Sequence, residues 1–232
     1  MVRICKRRKQ ANELVEESKT YDLKEAISIL KKMPKGKFDE TVELAVKINV
    51  DPKASNMVIR GTVSLPHGTG KKVRIAVFCD GEDIKKATEA GANFSGSKEL
   101  TDKVAGGWCD FDVAIATPNM MRELGKLGKV LGPRGLMPNP KAGTVTQDIT
   151  KAINELKKGK IEFKMDKQTN INCAVAKISF AEEAICENIN SLVKAVKSAG
   201  AGFSAIKGGL IRSVNISTTM SPGMKLNLSA WK

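Results

Sequence analysis

The sequence predicts an α/β protein of two domains, one of them discontinuous, and three observations carry that prediction. Alternating apolar and polar residues, the pattern of half-buried strands, occupy both ends of the 232-residue chain. Near-continuous apolar runs separated by helical periodicity fill the middle, as expected for strands of a parallel sheet covered on both faces. Turn-rich stretches at 66–70 and 158–160 separate the two styles. The resulting organisation is a discontinuous α+β domain, 1–66 plus 160–232, interrupted by an inserted α/β domain, 67–159. Two chain crossings between compact bodies make a natural hinge.

Taken in order, five bases in the first nine residues (Arg3, Lys6, Arg7, Arg8 and Lys9) read as a flexible arm suited to clamping phosphates. Leu23, Ile27 and Leu30 then share one face of a helix that stops at Pro34-Lys35-Gly36. Val42, Leu44, Val46 and Ile48 alternate with Thr41, Glu43, Ala45 and Lys47 until Asp51-Pro52. Ile59, Gly61, Val63 and Leu65 alternate again, and these two strands suggest an antiparallel pair.

Val73–Cys79 and Asp112–Pro118 are buried strands, set among helices at Asp83–Ala90, Lys98–Val104, Pro118–Leu124 and Asp148–Lys158. Between the last two lies Gly128–Gly143, whose proline and glycine content forbids a helix or a central strand. Its Val130, Leu131, Leu136 and Met137 pin it to the domain, while Lys129, Arg134 and Lys141 face outward, either as a rigid basic edge toward RNA or the interdomain cleft or as part of a purely structural Ω-loop. Ile161, Phe163 and Met165 alternate, and Ile171, Cys173, Val175 and Lys177 continue the theme. Ala181–Ser198 is a long helix, followed by strands at Ser213–Met220 and Met224–Leu228.

Charge narrows the function. The chain holds 39 Lys and Arg against 25 Asp and Glu, a formal charge of +14, which a polyanionic partner explains directly. Residues 67–159 carry 15 of those bases and 11 of the acids, so the excess lies mostly on the discontinuous domain. Five cysteines without CxxC spacing and a single histidine, His67, argue against a disulfide framework, a zinc site or nucleophile–base catalysis; no metal or cofactor is expected. The stretch Gly68–Lys72 lacks the first glycine of a phosphate loop, with Leu65 in its place, and precedes its strand. An enzyme built on the inserted domain would need a polar pocket at the carboxyl ends of its two buried strands, and the sequence offers neither a glycine fingerprint nor a histidine there. No apolar run suits a signal peptide or a membrane span, so the chain reads as cytoplasmic.

The nucleic acid is folded RNA. Aromatics are only 4% of the chain, too few for a single-strand stacking platform, and no groove-reading helix motif appears. Lys35, Lys37, Phe38 and Thr41 form one basic ridge with an aromatic residue, although Phe38 equally suits a cap on the core. Ser213, Ser217, Thr218, Thr219, Met220, Ser221 and Pro222 form a hydroxyl-rich second ridge. Small hydroxyls beside a methionine suit a wide, shallow RNA minor groove with its exposed 2′-OH groups.

Val130–Val145 (VLGPRGLMPNPKAGTV) closely resembles the signature of the large-subunit ribosomal protein L-one family, bacterial type. Lys37–Leu44, Arg60–Lys71, Ile161–Lys167 and Asn215–Met220 extend the resemblance over essentially the whole chain. It implies a non-enzymatic ribosomal protein with a split β-α-β-like RNA-binding domain and an inserted Rossmann-like three-layer α/β/α domain. The implied partners are large-subunit (23S) rRNA, exit-site tRNA and the leader of the protein's own mRNA, bound as a monomer within the ribosome and without a membrane. The implied RNA contacts are Lys37, Phe38, Thr41, Ser213, Thr219 and Met220, with a third patch at Asn172 and Lys177. Three positions depart from the family: Ser221 and Ala176 stand where glycine is usual, and Asn172 where histidine is common.

Overall fold

The computed structural model describes residues 5–16, 19–50, 59–81, 83–201 and 209–231; Arg3 of the basic arm and the Asp51-Pro52 break lie outside them. The chain begins with α1 (Lys6–Glu13), β1 (Thr20–Tyr21), α2 (Leu23–Lys32), β2 (Thr41–Ile48) and β3 (Arg60–Ser64). It continues through β4 (Ile75–Phe78), α3 (Asp83–Glu89), β5 (Phe94–Gly96), α4 (Lys98–Ala105), β6 (Val113–Ala116), α5 (Met121–Lys126), α6 (Gly128–Leu131) and α7 (Ile149–Lys157). It ends with β7 (Lys160–Lys164), β8 (Asn170–Lys177), α8 (Glu182–Gly200), β9 (Ile211–Thr218) and β10 (Met224–Leu226). These elements gather into two compact units, 1–70 with 161–232, and 71–160.

In the first unit a five-stranded sheet runs β1-β10-β9-β2-β8. Strand β2 is antiparallel to both β8 and β9, so those two are parallel to each other with β2 between them. Helix α8 makes the crossover from β8 to β9, a split β-α-β arrangement. Its buried residues Ile185, Ile189, Leu192, Val193 and Val196 recur at helical spacing. They join Ala26, Ile27 and Leu30 of α2 and the inward residues of β2, β8 and β9 in one core. The expected pairing of 42–48 with 59–65 does not form. Both edges of β2 are taken by β8 and β9, and β3 pairs with β7 in a separate two-stranded sheet. A strand that can bury its whole apolar face beside long partners has no need of its nearest sequence neighbour.

The second unit holds a parallel three-stranded sheet in the order β5-β4-β6. Ala76 and Phe78 of β4 face a core with Leu100 and Val104 of α4 and Leu124 of α5. Ile75 and Val77 face the other way, onto Ala87 of α3 and Ile149 and Ile153 of α7. Helices therefore cover both faces, as the uninterrupted apolar runs require.

Two local expectations need correction. Residues 6–13 of the expected flexible arm form a helix, with Ala11 buried in the core. Gly128–Leu131 is a short helix that ends before Pro133, and Pro140–Ala142 is a turn of 3₁₀ helix opened by a proline, which forfeits no hydrogen bond there. Leu131 and Ala142 are buried there, Val130, Leu136 and Met137 pack beside them, and Lys129, Arg134 and Lys141 are exposed. All five cysteines are free, and burial pushes the Cys79 thiol up to about 11 and that of Cys173 to about 12.

Candidate nucleic-acid interface

Strand alternation creates the site. Helices α2 and α8 share a core with Val42, Leu44, Val46, Val214 and Ile216, so their neighbours along each strand face the other way. The register sets them in rows across the sheet: Asn170, Lys47 and Ser213; then Asn172, Ala45 and Asn215; then Ala174, Glu43 and Ser217. Each is partly or fully exposed. Apart from Lys47 and Glu43 its side chains are small, which keeps it shallow, and it offers amides and hydroxyls able to donate or accept.

A ridge stands at the Thr41 end. A register shift between Val42 and Glu43 leaves Val175 and Ala176 both buried and pairs Lys177 with Thr41. Strict alternation would have kept Lys177 on the core side with Val175; the bulge carries it to the outer face. There its ammonium donates to Thr41 Oγ1 at 2.7 Å and to the Asp39 carbonyl at 3.2 Å. Ala176 is fully buried and packs as core.

Beyond β9 the Thr219 N–H donates to the Thr41 carbonyl at 3.1 Å, and Thr219 Oγ1 accepts from the Thr41 N–H at 3.1 Å. The chain then turns: the Ser221 N–H donates to the Thr218 carbonyl at 3.2 Å, and Ser221 Oγ accepts from the Thr218 N–H at 2.8 Å. The Ser221 hydroxyl thus closes its own turn. Arg8 of α1 donates to the Met220 carbonyl at 3.4 Å, which places the basic helix against the ridge. Phe38 and Met220 are 53% and 46% exposed, unusual for large apolar side chains, so Phe38 is not a core cap.

Beneath the ridge lies Glu40, 5% exposed. Burial alone would raise its carboxyl. Hydrogen bonds from Thr218 and from the Gly36 and Met220 amides, with the Arg7 charge nearby, outweigh burial and hold it below the usual carboxylate value.

The ten residues named from sequence divide accordingly. Thr41, Lys177, Thr219, Met220 and Ser221 meet at the ridge through the bonds just given, and Phe38 and Lys35 lie beside it, Lys35 sharing a small crevice with Met220 and Ser221. Lys37 is exposed on the same segment. Ser213 is six residues from Thr219, roughly 20 Å along the strand, and Asn172 lies between, opposite Ala45. The expected hydroxyl ridge loses Thr218, which faces inward, buried, and donates a hydrogen bond to Glu40. Lys47, Asn170 and Asn215 belong to the outer face in addition to the residues named from sequence, and the alternation of β2 already turns Lys47 outward.

The described residues contain no group of three or more His, Cys, Asp or Glu placed to hold a metal ion. Among them, no helix is long and apolar enough to cross a membrane.

Comparison with known proteins agrees over nearly the full length. The model of the ribosomal protein L1p/L10e family matches residues 30–222. The large ribosomal subunit protein uL1 of Protochlamydia amoebophila is 54% identical over 228 residues, covering 98% of this chain and 96% of the relative. That of Chlamydia caviae is 55% identical over 210 residues, 90% of each chain, and that of Chlamydia trachomatis serovar L2 is 52% identical over 227 residues, 98% and 97%. The chain belongs to the ribosomal protein L1p/L10e family.

Proposed function

We propose that this chain is a non-enzymatic constituent of the large ribosomal subunit, and that the outer face of β8-β2-β9 with its ridge grips a helical element of 23S rRNA. The observation that carries this reading is the shallow face of small hydroxyls and amides, edged by Lys47, Lys177 and the exposed Phe38 and Met220. A wide minor groove presents 2′-OH groups and sugar edges to such a surface, and lysines placed around it meet phosphates. In this reading the discontinuous domain, 1–66 plus 160–232, holds the RNA. The protein so bound forms a mobile stalk and assists release of exit-site tRNA. A similar fold in the leader of the protein's own mRNA, bound by the same face, would repress its synthesis. Support for these finer roles is the sequence resemblance alone.

The test is a nuclease footprint of the purified chain on 23S transcripts in excess bulk tRNA. One discrete protected segment is expected, and uniform protection overturns the reading. If about 6–10 phosphates are neutralised, affinity for that segment falls by roughly 10³–10⁵ between 50 and 200 mM salt.

A further inference from the structure

A buried acid beneath a surface meant for a polyanion calls for an explanation. Glu40 is 5% exposed, and the polar groups that reach its carboxylate are donors. The Gly36 N–H donates to Oε1 at 2.8 Å and Thr218 Oγ1 to Oε2 at 2.5 Å. The Arg7 guanidinium stands 3.9 Å from Oε1, and the Met220 amide favours the charged carboxylate. A Cβ built on Gly36 would lie 3.1 Å from Glu40 Oε1, 3.1 Å from the Phe38 ring and 3.2 Å from Arg7, so Phe38 is drawn into the same knot. Four segments of chain converge on two oxygens: α1, the Gly36–Phe38 turn, the end of β9 and the Met220 turn.

We propose that Glu40 is a positioning residue of the RNA interface, whose carboxylate ties the Lys35–Thr41 segment to the Thr218–Ser221 turn and thereby sets where Phe38 and Met220 stand. The inference rests on the RNA-binding reading above. The demand is for a carboxylate of this length. A glutamine turns one N–H₂ toward a donor, and an aspartate, shorter by one methylene, cannot span from Gly36 to Thr218.

The test measures affinity for the protected rRNA segment, with the unsubstituted chain as reference. Glu40→Gln and Glu40→Asp should each raise Kd by about tenfold or more while leaving the salt slope unchanged, since no phosphate contact is removed. Thr218→Val, which deletes one donor and keeps the shape, should do the same and serves if Glu40→Gln does not fold. The decisive arm repeats Glu40→Gln in a Thr219→Ala/Met220→Ala background. If Glu40 acts through the ridge, its effect shrinks to less than about twofold there. Full additivity, or a folded Glu40→Gln chain that binds within about twofold of the parent, overturns the positioning role. Failure of the parent to select any segment instead removes the interface reading, and the positioning role with it.

Discussion

Replacing Thr219 and Met220 together by alanine separates binding from folding, and the structure sets the size of each effect. The Thr219 hydroxyl accepts one exposed hydrogen bond, from the Thr41 N–H, which water can take over; its loss costs about 0.5–1 kcal/mol. The backbone bond from the Thr219 N–H to the Thr41 carbonyl survives the substitution. Met220 is already 46% exposed, so truncation forfeits about half of a full burial term, on the order of 1 kcal/mol. Unfolding should therefore move by about 2 kcal/mol, a Tm drop of roughly 4–8 °C for a chain of this size. In the complex both side chains would be desolvated at the centre of the contact, and losing them should cost about 2–4 kcal/mol, a rise in Kd of roughly 30- to 1000-fold. Filter binding at fixed ionic strength reads the affinity and differential scanning fluorimetry the Tm. The salt slope should not change, because neither side chain is charged. A Kd within about threefold of the parent, or a collapse of Tm with affinity intact, would refute the assignment of this ridge to RNA.

Three further substitutions probe the scaffold. The Lys71 ammonium, the Arg74 amide and the Arg74 guanidinium hold the Asp112 carboxyl at about 2, below its ordinary 3.8, so its stabilisation is present above pH 4 and lost as pH falls toward 2. Asp112→Asn should then cost about 1 kcal/mol in urea unfolding near neutrality and almost nothing near pH 2. Asn188 is fully buried, donates to the Gly68 and Val175 carbonyls and accepts from the His67 N–H. Asn188→Leu strands all three and should destabilise by about 2–4 kcal/mol, with Asn188→Asp no rescue because it cannot donate. A Cβ at Gly61 would stand 2.7 Å from the buried Phe163 ring. Gly61→Ala should cost about 1–3 kcal/mol and be partly repaired by Phe163→Leu; equal stability of Gly61→Ala and parent would contradict the close approach of β3 and β7.

The parts of the fold legible in the sequence were those whose burial is periodic and one-sided. Strand β2 shows its outer face as Thr41, Glu43, Ala45 and Lys47, and α8 repeats its apolar residues through three turns and more. What stayed hidden depends on partners distant in sequence. The ladder neighbours of β2 lie well over a hundred residues away, and nothing local distinguishes them from β3. The bulge at Val175–Ala176 inverts the face of Lys177 by inserting one residue, which looks in sequence like uninterrupted alternation. Helix α1 buries only Ala11 among its charged residues, too little apolar periodicity to announce itself. Glu40 sits in the motif KFDET, where an acid beside lysines reads as solvated; only the structure shows the Gly36 and Thr218 donors and the Arg7 charge closing over it.

Hydrogen–deuterium exchange on the complex of the full chain with its protected rRNA segment tests the central claim most directly. The account predicts slowed exchange in the peptides spanning 35–47, 170–177 and 213–221, with α7 and the segment 83–89 unchanged. Slowing confined to residues 71–160, with the outer face of β8-β2-β9 exchanging as in the free chain, would contradict it.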